Sequence, residues 1–115
     1  MKRLLLISTL FGLASLAHAG NVQTLVTKTF TIDITTHCEE GEVTCSKVDY
    51  VGTRNGKPND RIKLKGRTLT LGSGQGRFIG YEFKNGAYLY KVLEEGQLQI
   101  FKGGKLLQRE TGVWK

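Results

Sequence analysis

Apolar and polar residues alternate with a period of two along nearly the whole chain after residue 20, and no long stretch shows the 3.6-residue apolar period of an amphipathic helix. In NVQTLVTKTFTIDITT, Val22, Val26, Phe30, Ile32 and Ile34 take even positions, and Thr27, Thr29, Thr31 and Asp33 take odd ones. This pattern predicts one long half-buried strand over about residues 22–35, with threonine on the solvent side. VTCSKVDYVGT predicts a second strand. After the turn-rich RNGKPND comes RIKLK, where Arg61, Lys63 and Lys65 alternate with Ile62 and Leu64, so charges and core contacts fall on opposite faces. Leu69 and Leu71 have the other parity, which predicts a turn or bulge at Gly66-Arg67.

GSGQG, residues 72–76, reads as a flexible connection. RFIGYEFK places Ile79, Tyr81 and Phe83 on one face, with Phe78, Gly80 and Glu82 on the other. Asn85-Gly86 is a strong hairpin signal, because both central residues of a type I′ turn need positive φ. AYLYKVL, the turn Glu94-Glu95-Gly96, QLQIFK, the turn Gly103-Gly104 and KLLQRE then follow as a meander, and TGVWK is expected to return Val113 and Trp114 to the core. FKNG and FKGG mark similar hairpins, since the sequences between them do not match as a repeat. The fold predicted is all-β: a small antiparallel barrel or sandwich of about seven or eight strands, with a meander in the C-terminal half.

The first 19 residues break the alternation. Lys2 and Arg3 precede an apolar run from Leu4 to Leu16, and Ala17-His18-Ala19 has the A-x-A form of a cleavage site. The run is too short for a membrane span, which takes about 20 apolar residues. The expectation is a cleaved secretory leader over 1–19, a single all-β domain over 20–115, no transmembrane segment after processing, and a periplasmic or secreted location. Removing Lys2 and Arg3 leaves 15 basic against 10 acidic residues, a net charge of +5. Residues 20–50 carry a local −3 and residues 51–91 a local +7, so the molecule has an acidic part and a basic part.

HCEEGEVTC, residues 37–45, holds both cysteines. In an oxidising compartment two cysteines without competitors pair, and a Cys38–Cys45 bridge suits the base of a loop whose tip is Glu40-Gly41. A metal site would draw on His37, Cys38, Cys45 and one glutamate. It lacks paired C-x-x-C or H-x-x-x-H spacing, and His37 and Cys38 would point to opposite sides of a strand. A redox pair is more typically C-x-x-C ahead of a helix. No cofactor motif is present. Glu39, Glu40 and Glu42 are either a solvated loop tip or the contact surface of a rigid acidic loop that enters a basic cleft on a partner, with the cross-link lowering the entropy cost of binding.

RNGKPNDRIKLKGR carries Arg54, Lys57, Arg61, Lys63, Lys65 and Arg67 against Asp60. The leader argues against nucleic acid as the partner. The anions outside the inner membrane are lipid head groups, envelope polymers and acidic proteins. The plainer alternative is a charged strand that protects a sheet edge from pairing with other chains. Phe78, Tyr81, Phe83, Tyr88, Tyr90, Phe101 and Trp114 alternate along strands, where aromatics are ordinarily core or cross-strand partners rather than a sugar-stacking surface. Catalysis has little support. His37 alone cannot form a serine or cysteine triad once Cys38 and Cys45 are oxidised, Ser46 and Ser73 have no base assigned by any motif, and GSGQG does not open a helix, so its amides lack the dipole that binds phosphate.

Size, leader and strand pattern, with the strand-and-turn spacing of about residues 66–100, resemble those of the small periplasmic lysozyme inhibitors, which are β-barrels. The resemblance implies a protein inhibitor, but a net +5 opposes a cationic lysozyme unless the acidic loop makes the contact. The leading expectation is a non-enzymatic binding module of inhibitor or immunity type that meets a protein of the cell envelope through the disulfide-closed acidic loop. The alternative is attachment to an anionic lipid or polymer through the basic 54–67 face.

Overall fold

A computed structural model describes residues 21–39, 44–72 and 76–115. Eight strands form a closed antiparallel barrel in sequence order: β1 (Asn21–Thr27), β2 (Phe30–Thr36), β3 (Val48–Arg54), β4 (Lys57–Leu71), β5 (Arg77–Asn85), β6 (Tyr88–Leu93), β7 (Gln97–Lys102) and β8 (Lys105–Trp114), with β8 pairing back onto β1. The expected leader over 1–19 lies outside the described residues. Leu25, Ile32, Ile34, Val48, Tyr50, Phe83, Val92 and Leu98 are all but fully buried and fill the lumen. Eight strands enclose an interior just wide enough for side chains to fill. Tyr50 packs on Phe83 and Tyr90 at centroid distances of 5.1 and 5.7 Å.

The expected strand over 22–35 is in fact the β1–β2 hairpin, with Leu25 opposite Ile32. At the Lys28-Thr29 turn the Thr27 hydroxyl accepts the Phe30 N–H at 2.9 Å and donates to the Phe30 carbonyl at 3.2 Å. The turn reverses the chain without glycine and resets the parity. Leu25 and Thr27 point inward on β1, Val22 is 57% exposed, and Ile32 and Ile34 point inward on β2. Glu110 on β8 accepts the Thr29 N–H at 3.2 Å and fixes this turn from across the barrel closure. Burial pushes the Glu110 carboxyl up, but the bonds from Thr29, Thr27 and Gln108 outweigh it and hold the group below its ordinary value.

No turn occurs at Gly66-Arg67; β4 runs straight through it. Residues 57–66 pair with β3 and residues 66–71 pair with β5, so Gly66 alone belongs to both ladders. β8 does the same, with its first part paired to β7 and Gly112–Trp114 paired to β1. β4 and β8 thus each turn a corner of the one closed sheet, handing their pairing from one neighbour to the next partway along the strand. Each corner is a glycine for a steric reason. A Cβ on Gly66 would overlap the Glu82 carbonyl oxygen, and one on Gly112 would overlap that of Val26.

The register shift against β5 lies between Leu69 and Thr70, opposite Phe78 and Gly80, which leaves Ile79 as the extra residue. That bulge reverses the parity ahead of it and turns Phe78 toward the core, 5.2 Å from Tyr81. Trp114 packs against the core as expected, but Val113 points outward and is 64% exposed, opposite Val26.

Candidate functional site at the upper rim

Strand alternation gathers the starts of β1, β3, β5 and β7 and the ends of β2, β4, β6 and β8 at one rim, here termed the upper rim. Residues 37–47 connect β2 to β3 there, rather than the first strand to the second, because the β1–β2 hairpin adds a strand. The base of this loop is fixed at several points. The His37 N–H donates to the Lys47 carbonyl at 2.9 Å. Cys38 and Cys45 form a disulfide with a Cα–Cα distance of 5.9 Å. Cys45 lies against the upper part of β4, which β3 no longer covers: its N–H donates to the Thr68 hydroxyl at 2.8 Å, and its carbonyl accepts the Thr68 N–H at 2.9 Å. Glu39 is exposed on this base, whereas Glu40 and Glu42 lie outside the described residues.

Joined in a disulfide, the cysteines have no thiolates to offer a metal. His37 turns instead to Asp49, with Nε2 and Oδ2 2.9 Å apart, and Lys65 Nζ donates to the other carboxylate oxygen at 3.2 Å. The His37 bond first, and the Lys65 bond second, hold the Asp49 carboxyl below its ordinary value. Asp49 was not among the residues the sequence marked, since its partners come from a loop and from a different strand.

The six basic candidates do not share one surface. Arg61, Lys63, Lys65 and Arg67 line up on the outer face of β4, at a spacing of about 7 Å expected for alternate strand positions. Lys65 is bound to Asp49, and Arg67 donates from Nη2 and Nε to Glu82 Oε1 at 2.9 and 3.2 Å. Arg61 and Lys63 stand opposite Thr53 and Val51 and form no ion pair among the described residues. Arg54 and Lys57 belong to the lower end, where Arg54 is 2.9 Å from Asp60 and lies over the Phe30 ring. Residues 57–65 form a true edge, since their ladder runs to β3 alone; Pro58 and the lysines there fit edge protection.

The sequence did not mark the mouth of the barrel as a site. Gln23 from β1, Phe78 and Tyr81 from β5, Glu94 from the β6–β7 turn, and Trp114 and Lys115 at the end of β8 line a pocket of about 180 Å³. Tyr81 donates its hydroxyl across the lumen to Gln23 Oε1 at 3.1 Å, and the Trp114 indole N–H donates to the Glu94 carbonyl at 2.8 Å. Burial first, and the Glu94 charge second, push the Tyr81 phenol up. These residues are up to 92 positions apart in the chain, from Gln23 to Lys115, and only barrel closure brings them together.

Among the described residues no helix is long and apolar enough to cross a membrane. No protein family, curated protein or solved structure shows significant similarity to the chain.

Proposed function

We propose that this chain is an exported, non-catalytic binding barrel that engages a protein of the cell envelope with its upper rim, as an inhibitor or immunity-type module. The observation that carries this reading is the fixed base of the 37–47 loop: a disulfide, a pair of bonds between Cys45 and Thr68, and the His37–Lys47 bond. A loop anchored this way loses little further entropy when it meets a partner. The acidic residues Glu39, Glu40 and Glu42 then act as its contacts, and the partner supplies a basic cleft. A lysozyme-inhibitor-like role is the narrowest form of this function.

A second reading has its own support in Arg61 and Lys63, which point outward on β4 opposite the neutral Thr53 and Val51 of β3. It assigns attachment to an anionic lipid or polymer, and salt separates the two, because exposed charge contacts weaken steeply as screening increases. The test is capture from envelope extracts on the immobilised oxidised protein, repeated with Glu39→Gln/Glu40→Gln/Glu42→Gln and with Arg61→Gln/Lys63→Gln. The rim reading expects one stoichiometric protein, held through moderate salt by the wild type and the β4 variant and lost with the loop variant. Equal retention by the loop variant counts against it. Retention on anionic vesicles that disappears with salt and with the β4 variant establishes the alternative.

A further inference from the structure

We propose that the barrel mouth is a pocket for one cationic side chain, a lysine ammonium or an arginine guanidinium, presented by the partner protein. Its size is the first argument. At about 180 Å³ the pocket is smaller than the roughly 300–1,000 Å³ of sites for drug-sized ligands, and suits a single inserted side chain.

Chemistry is the second argument. The polar tips of the aromatic walls are already engaged: the Tyr81 hydroxyl donates to Gln23, and the Trp114 N–H donates to the Glu94 carbonyl. What the walls still offer is apolar and π surface from Phe78, Tyr81 and Trp114. Beside it stands the Glu94 carboxylate, which forms no ion pair among the described residues. Aromatic faces with a carboxylate at the margin attract a cation, whereas an anion would meet repulsion from that carboxylate. Lys115 stands at the same margin as a competing charge, its backbone N–H tied to the Thr24 carbonyl at 2.8 Å.

The pocket opens on the same rim as the acidic loop, so both features favour a basic partner surface. This inference rests on the rim being the partner-facing end. The loop and the pocket are nevertheless separable, since Glu94 is exposed and lies outside the loop.

Trp114 is the only tryptophan in the chain, so its fluorescence reports the pocket. The oxidised protein is titrated with the peptide acetyl-Gly-Arg-Gly-amide, with its citrulline counterpart, which has the same shape without the charge, and with N-acetylglucosamine. The expected result is a saturable response to the arginine peptide, about five- to ten-fold weaker in Glu94→Gln and for citrulline, and unchanged in the Glu39/Glu40/Glu42 glutamine variant. Lys115→Gln should tighten it by about two-fold. No response to the arginine peptide, an equal response in Glu94→Gln, or a stronger response to the sugar overturns the pocket. Loss of capture in the loop variant, alongside a failed peptide titration, leaves the proposed function standing and removes only the pocket.

Discussion

Asp49 sits where the closed loop, β3 and β4 meet, and its carboxyl reports whether they are assembled. Its folded pKa lies below the ordinary 3.8, so the stability it contributes is present above the unfolded value and is lost as pH falls through the folded one. Carboxyl NMR should show Asp49 titrating below 3.8 in the wild type and closer to that value in His37→Asn and in Lys65→Met, with the larger rise in the His37 variant. Because the Asp49 side chain is 37% exposed, the pair is worth only about 0.5 kcal/mol after screening, and Asp49→Asn should barely change thermal stability at neutral pH. A wild-type midpoint at or above 3.8 would mean that the loop base is not held as described. At this scale the sequence was readable where chemistry is local. Cys38 and Cys45 were legible as a bridge from compartment and count, whereas Asp49, Gln23 and Glu94 carry no local signal because their partners are supplied by strand pairing.

The two glycine corners and the closed loop decide whether the strands assemble. Gly66→Ala should destabilise by about 3 kcal/mol, since the added methyl meets the rigid backbone of Glu82 rather than a side chain that can turn away. Gly86→Ala, with open space around it and a φ of +62°, should cost only about 1 kcal/mol through backbone strain. Urea unfolding distinguishes them, and equal costs would count against Gly66 as a corner. Removing the bridge with Cys38→Ser/Cys45→Ser should cost about 2.5 kcal/mol by loop-closure entropy, and thiol titration of the unreduced, denatured protein should find no free thiol. The periodicity of RIKLK and the Asn85-Gly86 turn could be read directly. The Lys28-Thr29 turn could not, because a threonine hydroxyl standing in for a glycine turn leaves the alternation apparently unbroken. The parity change that Leu69 and Leu71 suggest after Gly66 is not followed by the strand: even positions stay inward through Thr70 and Leu71 is 53% exposed, while the one bulge in this ladder lies on β5 at Ile79 and has no distinctive residue pattern.

For the molecule as a whole, a barrel closed by β8 on β1 explains why one rim collects chemistry and the wall does not. The choice between barrel and sandwich lay beyond the sequence, since both bury the same alternating residues and the closing contact, β8 on β1, joins segments far apart in the chain. Charge asymmetry was legible, yet the basic stretch divides into a partly neutralised outer row, a protected edge and a lower turn, which leaves Arg61 and Lys63 on the outer face, and Lys57 at the lower end, without an ion pair among the described residues. The rim, by contrast, combines a cross-linked loop with an aromatic pocket marked by Glu94. The most direct measurement is the hydrogen-exchange footprint of the captured partner on the barrel. Protection confined to residues 37–47 and to the segments around Phe78, Glu94 and Trp114, with the outer face of β4 unchanged, is the result expected; protection centred on Arg61 and Lys63 with a free rim would contradict it.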